Sequence, residues 1–261
     1  GDVYKRQLLN RRGYSSFVTC KNCGYTVKCP HCDITLTYHK SSNNLRCHYC
    51  GYATNITNIC PECHEKSLTT LGVGTEKIEE ELHTLIPTAK ILRMDFDTTS
   101  KKGSHAKMIE EFKEHKYDIL LGTQIVAKGL DFENVTLVGV VNADTSLNIP
   151  NFRSSEQTFS LLSQVAGRSG RSSKTGEVII QTYNPTHYAI ECVKNHDYLD
   201  FFNKEMNIRR RLNYPPYYYV TYIRVSGKDD KICYKESLKI ARILQKYLDK
   251  TIILGPSPCN V

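Results

Sequence analysis

Three features that define common classes of protein are missing from this chain of 261 residues. No run approaches the roughly eighteen apolar residues of a membrane-spanning helix, and no apolar stretch near the start resembles a signal peptide. Neither a Gly-x-x-x-x-Gly-Lys-Ser/Thr loop nor an Asp-Glu-x-His/Asp strand end is present, so the usual phosphate-binding and Mg²⁺-binding motifs of an ATPase are absent. The lack of a membrane span and of a signal peptide predicts a cytoplasmic chain with no membrane partner.

The composition is that of an ordinary globular chain with a modest excess of positive charge. Hydrophobic residues make up 40% of the sequence, which is enough for a sizeable core and for more than one folding unit. Lys and Arg outnumber Asp and Glu by 35 to 27, so the net charge is +8. Such an excess suits a polyanionic partner, but a slightly basic surface without any partner would look the same.

Cysteine is the residue that stands out, because eight of the 11 cysteines form four Cys-x-x-Cys pairs between residues 20 and 63. A reducing cytosol argues against disulfides, and the regular spacing favours metal ligands. Two such turns supply the four thiolates of a closed, structural zinc site, so four turns predict two Zn²⁺ ions. A thiol oxidoreductase would also use a Cys-x-x-Cys pair, but four pairs so close together argue against it.

The order of the pairs suggests which of them share an ion. Only five residues separate the pairs 20/23 and 29/32, which leaves little chain to bring both around one ion. Between the second and third pairs, Ile34, Leu36 and Tyr38 alternate with polar residues before a polar turn, a pattern that predicts a β-hairpin. We therefore predict two nested sites, with Cys29, Cys32, Cys47 and Cys50 inside and Cys20, Cys23, Cys60 and Cys63 outside. An interleaved pairing, 20/23 with 47/50 and 29/32 with 60/63, remains open.

After residue 71 the sequence alternates between strand and helix patterns. Short apolar runs predict strands at 90–96, 118–122, 136–144 and 177–183, and helical patterns cover 75–86, 104–116 and 154–171. Helices between buried strands indicate an α/β domain with a parallel sheet covered on both faces. The cysteine pairs are then an insertion near the start of this domain, after a short strand around residues 15–18.

Ligands of such sheets lie outside the carboxyl ends of strands. Candidate binding residues are therefore sought in two segments that follow predicted strands, one a loop and the other a helix. The first loop contains Thr123, Gly129 and Asp131. In the second segment Gln164, Arg168 and Arg171 stand at i, i+4 and i+7 of the predicted helix, where an amide and two guanidiniums could bind a polyphosphate. A helix end with two solvated arginines is the alternative.

The two ends of the chain give weaker signals. Residues 1–7 read as neither strand nor helix, and the chain as a whole reads as a fragment. Residues 186–213 predict one or two helices, where Arg209 to Arg211 could contact phosphate or, in the favoured interpretation, solvate a helix end. A strand, a helix at 234–248 and a strand at 251–255 are expected to follow. The tyrosines between 214 and 222 could stack on bases, although packing into a core is the favoured interpretation.

Several of these segments resemble known families. "GTQIVAKGLDF" (122–132) and "QVAGRSGR" (164–171) are similar to motifs V and VI of the second, RecA-like lobe of superfamily 2 helicases. "CKNCGYTVKCPHCD", "CHYCGY", "CPEC", "GVGTEKIEEEL" and "YPPY" resemble the PriA family of replication-restart helicases, over residues 8–261. The resemblance implies a RecA-like lobe at 8–183 with a double zinc-ribbon insertion at 19–66. A helical linker at 184–212 and a truncated α+β C-terminal DNA-binding domain at 213–261 would follow.

The resemblance also implies a function for the whole protein. This would be an ATP-dependent 3′ to 5′ DNA helicase that restarts replication at stalled forks and initiates primosome assembly, with two Zn²⁺ and with ATP and Mg²⁺ as cofactors. Its implied partners are branched and single-stranded DNA, other primosome proteins and single-strand DNA-binding protein, in the cytoplasm and near the nucleoid. Because the triphosphate and Mg²⁺ are held chiefly by the first lobe, the chain alone is expected neither to bind ATP tightly nor to hydrolyse it.

Residue roles follow by position from the same resemblance. Arg168 and Arg171 would act as catalytic arginine fingers, and Gln164 would line the same cleft. Gly129 and Asp131 would couple the nucleotide to the DNA-contacting loop, Thr123 would approach a DNA phosphate, and Arg11 and Arg12 would contact DNA or the other lobe. Two alternatives remain: a stand-alone, non-catalytic zinc module that binds DNA or a primosome protein, and another superfamily 2 motor such as a fork-reversing helicase.

Overall fold

The computed structural model describes residues 4–8 (as backbone), 17–39, 42–70, 75–94, 104–123, 132, 135–167, 176–248 and 252–258. The chain divides into two compact units. The first, which we call the sheet unit, comprises Gly1–Tyr14, Leu71–Asn148 and Arg153–Phe201. The second, the cysteine unit, comprises Ser15–Thr70, Ile149–Phe152 and Phe202–Val261. None of the helices in these described ranges is both long enough and apolar enough to cross a bilayer.

The sheet unit is built on a five-stranded parallel sheet. Its strands are β1 (Tyr4–Leu8), β7 (Ile91–Met94), β8 (Ile119–Gly122), β9 (Val135–Val140) and β10 (Glu177–Ile180), in the order β10-β9-β1-β8-β7. The helices are α1 (Thr75–Leu85), α2 (Ser104–Lys113), α3 (Asp144–Leu147), α4 (Ser154–Ala166) and α5 (Tyr188–Lys194). The four strands predicted after residue 71 are present, which confirms the α/β interpretation.

The central strand, however, comes from residues for which no element was expected. β1 pairs with β8 on one side and β9 on the other. The expectation of neither strand nor helix in residues 1–7 is therefore wrong for residues 4–7, while residues 1–3 lie outside the described residues. The segment Tyr-Lys-Arg-Gln-Leu lacks the continuous apolar run by which buried strands are recognised, and its place in the sheet depends on pairing with strands more than 100 residues away.

Both faces of the sheet are covered, as alternation along a strand shows. On β8, Leu120 belongs to the larger apolar cluster, which includes Phe112 of α2 and Leu162 of α4. Its neighbours Ile119 and Leu121 belong to a separate cluster with Ile78 and Leu82 of α1. Because successive side chains of a strand point to opposite faces, the two clusters lie on opposite faces. The sheet is thus enclosed, as a parallel sheet requires.

Helix α4 is shorter than predicted. It ends at Ala166, with Gly167 as its C-cap, whereas the sequence pattern had extended it to residue 171. At its start, Arg153 donates to Glu156 at 3.1 and 3.0 Å, an ion pair across the first turn.

The cysteine unit begins with short antiparallel ladders. β2 (Val18–Cys20) pairs with β6 (Leu68–Thr70), and β3 (Thr37–His39), β4 (Asn44–Arg46) and β5 (Ala53–Asn55) form a three-stranded sheet. The pairing of β3 with β4 is the predicted hairpin. The unit's apolar cluster consists of Val18, Cys29, Cys32, Ile34, Leu36, Leu45, Cys47 and Tyr214. Three of these eight residues are cysteines, so the metal-binding turns are themselves part of the core.

The rest of this unit is helical or extended. α6 (Tyr198–Arg211) starts in the sheet unit and ends in the cysteine unit, and α7 (Asp230–Tyr247) starts behind Asp229, whose carboxylate accepts from Lys231 N and Ile232 N. The strands expected after Tyr214 and at 251–255 do not form in the described residues. A strand needs a partner for its backbone groups, and no described strand pairs with residues 217–228 or 252–258. Those predictions are wrong.

Candidate metal centres and motor-lobe residues

The four Cys-x-x-Cys turns share one backbone geometry. In each, the first cysteine's carbonyl accepts from the amide four residues on, at 2.9 to 3.0 Å, and its amide donates to the carbonyl five residues on, at 2.8 to 2.9 Å. The residue after the second cysteine has a positive φ in every case: Gly24, Asp33, Gly51 and His64. Glycine adopts this conformation without steric cost, whereas Asp33 and His64 adopt it at some cost. The repeated turn directs both thiols of a pair to one side.

The structure has the nested grouping predicted from the sequence. One group consists of Cys20, Cys23, Cys60 and Cys63, and the other of Cys29, Cys32, Cys47 and Cys50, with the sulfur atoms of each group within 4.8 Å of one another. The interleaved pairing is therefore not the one that forms. His31, His48 and His64 belong to neither group, in agreement with the expectation that eight thiolates are sufficient for two sites.

The inner site lies at the base of the β3–β4 hairpin. Cys29, Cys32 and Cys47 are buried, and the sulfur atoms of Cys29 and Cys50 are 3.5 Å apart. Burial raises the pKa of Cys29 to about 11 and raises that of Cys32 as well. Burial opposes the thiolate of Cys50 too, but hydrogen bonds from the backbone and from the other cysteines outweigh burial and lower its pKa. A divalent cation would stabilise all four residues as thiolates.

The outer site joins β2 to the last two turns. Cys20 Sγ lies 3.6 Å from Cys63 Sγ, and Cys23 Sγ lies 3.6 Å from Cys60 Sγ. Burial alone would raise the pKa of Cys20, but hydrogen bonds with the Ser67 hydroxyl, at 2.8 Å, and with backbone amides outweigh it and hold the pKa at about 6. Ser67 is a contributor that sequence reasoning missed, because the hydroxyl meets a cysteine 47 residues earlier.

These distances fit zinc. Four thiolates around a tetrahedral ion with Zn–S bonds of about 2.3 Å have sulfur atoms about 3.8 Å apart. Three of the sulfur–sulfur distances here are 3.5, 3.6 and 3.6 Å, and all sulfur atoms of a group lie within 4.8 Å of one another. Each group contributes four sulfur ligands, and within the described part of the chain no His, Asp or Glu joins either group. The two groups therefore fit two Zn²⁺ ions in closed sites, which stabilise a fold and leave no position open for catalysis.

Aromatic and ionic contacts attach the inner site to α6. The Tyr214 hydroxyl donates to the Cys32 carbonyl at 2.9 Å, and its ring stacks on Phe152 with centroids 5.0 Å apart. The Arg209 guanidinium carbon also lies over the Phe152 ring, 5.3 Å from its centroid, and Arg209 pairs with Glu205 at 2.7 Å. Arg209 is buried, so the prediction that it merely solvates a helix end is wrong for this residue. Glu205, four residues earlier on the same helix, is the signal that could have identified the pair.

In the sheet unit, the described candidate residues lie near the carboxyl ends of strands or at a helix end. Thr123 follows β8 directly and is buried, and Gln164 is exposed in the last turn of α4. Gly129, Asp131, Arg168, Arg171, Arg11 and Arg12 lie outside the described residues. Their predicted roles in nucleotide and DNA contacts therefore stay predictions.

One residue at this edge was missed by the sequence analysis. The buried carboxylate of Asp144 accepts from the Thr182 hydroxyl at 3.1 Å and from the Tyr183 amide at 2.8 Å. It thereby ties the segment after β9 to the segment after β10. Burial raises its pKa, and these hydrogen bonds oppose the shift.

Comparison with known proteins gives concordant matches along the chain. The family "Helicase conserved C-terminal domain" matches residues 60–173, and the family "PriA DNA helicase Cys-rich region (CRR) domain" matches residues 29–54. Replication restart protein PriA of Bacillus subtilis is 54% identical over 251 residues, which cover 96% of this chain and 31% of that protein. The PriA proteins of Synechocystis and Chlamydia pneumoniae are 44% and 43% identical, each over 97% of this chain and over 31% and 34% of their own lengths.

An enclosed parallel sheet with a helicase sequence, joined to two nested four-cysteine sites, defines a helicase C-terminal lobe with a metal-binding insertion. The chain belongs to the PriA family of replication restart proteins. It spans about a third of the length of the curated relatives that it matches.

Proposed function

We propose that this chain is the second motor lobe, with its zinc insertion, of an ATP-dependent 3′ to 5′ DNA helicase that restarts replication at stalled forks and initiates primosome assembly. The observation that carries the proposal is the combination in one chain of a helicase C-terminal match with two nested four-cysteine groups. Neither feature alone would separate this motor from other helicases or from other zinc proteins.

In this proposal the lobe completes a nucleotide site rather than forming one. The 261 residues contain no phosphate-loop lysine and no acidic Mg²⁺ motif, so ATP and Mg²⁺ are held chiefly by another part of the longer protein. Arg168 and Arg171 follow α4, whose apolar face packs Phe159, Leu162 and Val165 into the core. Because α4 is held in place by this packing, it fixes the start of the segment that follows. In this proposal the two guanidiniums of that segment stabilise the negative charge that develops on the transferred phosphoryl group. Gln164, Gly129 and Asp131 act beside them, and Thr123, Arg11 and Arg12 contact DNA.

The zinc sites serve a structural role in this motor. Closed four-thiolate sites offer no open coordination position, so they shape a surface for forked DNA, for other primosome proteins and for single-strand DNA-binding protein. The protein then acts in the cytoplasm, at the nucleoid.

A chimaera tests the proposal directly. The matched third of the Bacillus subtilis relative is replaced by this chain, and DNA-stimulated ATP hydrolysis and fork unwinding are measured. We expect both activities in the chimaera, and a loss of about a thousandfold or more in turnover for Arg168→Ala or Arg171→Ala, the range found for arginine fingers. Arg242→Ala, an exposed arginine on α7, is the matched control and should leave turnover unchanged.

The 261-residue chain alone is assayed in parallel, and we expect no turnover from it. DNA-stimulated hydrolysis by the chain alone, or full activity of Arg168→Ala and Arg171→Ala chimaeras, would contradict the proposed division of the nucleotide site. An inactive chimaera that binds two zinc ions and folds would contradict the assignment as a helicase lobe.

A further inference from the structure

The eight cysteines of the two metal sites differ in their access to solvent. Only Cys23, in the outer site, is exposed. Cys50 and Cys63 are half-buried, and the other five are buried. The two residues that precede Cys23 in its turn, Lys21 and Asn22, are exposed as well. A dissolved reagent can therefore reach one thiolate of the outer site without any opening of the fold.

The inner site, by contrast, is covered by other parts of the chain. Its cysteines belong to the apolar cluster of the cysteine unit or pack against it, together with Tyr52. The Tyr214 hydroxyl donates to the Cys32 carbonyl at 2.9 Å, and the Ser257 hydroxyl donates to the His48 carbonyl at 2.7 Å. Each turn of the inner site is thus held by a residue from later in the chain. None of the outer cysteines belongs to an apolar cluster of the described residues.

Cys23 also has a second thiolate within reach. Its Sγ atom lies 3.6 Å from Cys60 Sγ, and the two sulfur atoms need to approach by about 1.6 Å to form a disulfide, whose S–S bond is about 2.05 Å long. Cysteines that respond to oxidants are accessible and often lie beside a second cysteine that completes a disulfide. Cys29 and Cys50 of the inner site are equally close, at 3.5 Å. Accessibility, rather than distance, therefore distinguishes the two sites.

We propose that Cys23 is a site of oxidative modification, at which a peroxide oxidises the outer metal site while the inner site stays intact. The Cys23 thiolate attacks one oxygen of hydrogen peroxide, so that an S–O bond forms, the O–O bond breaks and hydroxide leaves. The Cys60 thiolate then attacks the Cys23 sulfur, so that the S–S bond forms, the S–O bond breaks and a second hydroxide leaves. The two thiolates together lose two electrons, which the peroxide gains.

This oxidation leaves the outer group with two thiolates. A closed zinc site is held by four ligands, so the loss of two of them releases the ion. The outer site adjoins the ladder in which β2 pairs with β6, and the β3–β4 hairpin keeps its own ion at the inner site. The inference does not rest on the proposed function, because it concerns the accessibility of cysteines and not the activity of the longer protein.

Titration of the zinc-loaded chain with hydrogen peroxide tests the order of zinc release. The chain carries Cys233→Ser and Cys259→Ser, because these cysteines lie outside the four Cys-x-x-Cys pairs and their thiols would compete for peroxide. Cys192, at 1% exposure, remains as a buried control thiol. Native mass spectrometry counts the ions, and we expect the first to leave about tenfold faster than the second or more. Loss of both ions at one rate would overturn the proposal.

Peptide mapping locates the oxidised pair. After the first ion has left, the remaining thiols are alkylated and the chain is digested with trypsin, which puts Cys23 on peptide 22–28 and Cys60 on peptide 47–66. We expect a disulfide between these two peptides, assigned to Cys60 by fragmentation. Peptide 29–40, which carries two inner cysteines, should be fully alkylated. First-stage oxidation that spares peptide 22–28, or that falls on peptide 29–40, would overturn the assignment.

Ser67 offers a variant that marks the outer site without removing a ligand. Its hydroxyl lies 2.8 Å from Cys20 Sγ and must donate when that sulfur is a thiolate. Ser67→Ala leaves the thiolate more reactive, and we expect peroxide to release the first ion about threefold to tenfold faster, with the second unchanged. Ser42→Ala, at an exposed serine before β4, is the matched control and should change neither rate. If Ser67→Ala accelerates only the second ion, the fast phase belongs to the inner site and the proposal fails.

Discussion

The sheet unit and the cysteine unit achieve stability in different ways. The larger cluster of the sheet unit is made of aliphatic and aromatic side chains contributed by strands and helices, with residues such as Leu120 and Met94 fully buried. The cysteine unit has short strands, and three of the eight residues in its cluster are metal-site cysteines. One chain thus combines a unit that folds by burying apolar side chains with a unit whose core is incomplete without its two zinc ions.

Removal of zinc should have the largest effect, and on one unit only. Structural zinc contributes roughly 10–16 kcal/mol to the folding of small metal-binding domains, so a chelator should unfold the ladders around residues 18–70. The sheet unit has no predicted metal and should keep its structure. Hydrogen exchange read by mass spectrometry checks this, through peptides from β2 to β6 and from β7 to β9. Equal loss of protection in both sets of peptides would show that the sheet unit depends on zinc as much as the cysteine unit does.

A core truncation should produce the opposite pattern. Leu120→Ala removes a side chain with 0% exposure from the middle of β8, and we expect about 2–5 kcal/mol of lost stability in the sheet unit. Zinc content should stay at two ions per chain. Leu85→Ala, at 76% exposure, is the control and should change stability little. Urea unfolding, followed together with zinc release, measures both, and loss of zinc in the Leu120 variant below the unfolding transition would argue that the two units are coupled.

Asp144 provides a smaller test within the sheet unit. Asp144→Asn replaces an acceptor that receives hydrogen bonds from Thr182 and Tyr183, and the amide group must turn its own donor towards one of them. We expect a loss of about 1 kcal/mol, with two zinc ions retained.

The pH dependence of this effect has a definite sign. Burial raises the pKa of Asp144 in the folded state, so the folded state binds more protons than the unfolded state as pH rises above the ordinary Asp pKa of about 3.9. The contribution of Asp144 should be fully present below that pH and should fall as pH rises through the folded-state pKa. The stability difference between wild type and Asp144→Asn should therefore shrink with rising pH, and a difference that grows would contradict the assignment.

A local effect of similar size is expected where Tyr214, just after α6, contacts the inner metal site. Tyr214→Phe keeps the stack on Phe152 but removes the hydrogen bond to the Cys32 carbonyl, at a cost of about 1 kcal/mol. The loss should appear as faster zinc release to a chelator from the inner site, with the sheet unit unaffected. Tyr219→Phe is the control, because that ring is fully exposed. Unchanged release from Tyr214→Phe would mean that the contact does not stabilise the site.

The sequence predicts most reliably what depends on local pattern and spacing. The strands β7 to β10 and the hairpin of β3 and β4 follow from residues close together in the chain. The nested cysteine groups follow from the regular spacing of the Cys-x-x-Cys pairs, although the outer group joins residues up to 43 positions apart. β1 was missed because its polar segment becomes a central strand only through distant pairing. The strands expected after Tyr214 did not form for the converse reason, since an apolar pattern without a paired neighbour leaves the backbone unsatisfied. The contacts of Ser67 and Asp144 depend on residues at least 38 positions away.

Zinc counting on paired cysteine variants tests the central claim, the nested metal sites, most directly. Native mass spectrometry of the chain should give two zinc ions. In Cys20→Ser/Cys63→Ser both changes fall on the outer site, so one ion should remain, whereas Cys20→Ser/Cys47→Ser disrupts both sites and should leave none. The reverse result, no ion in the first variant and one in the second, would show the interleaved pairing and contradict this account.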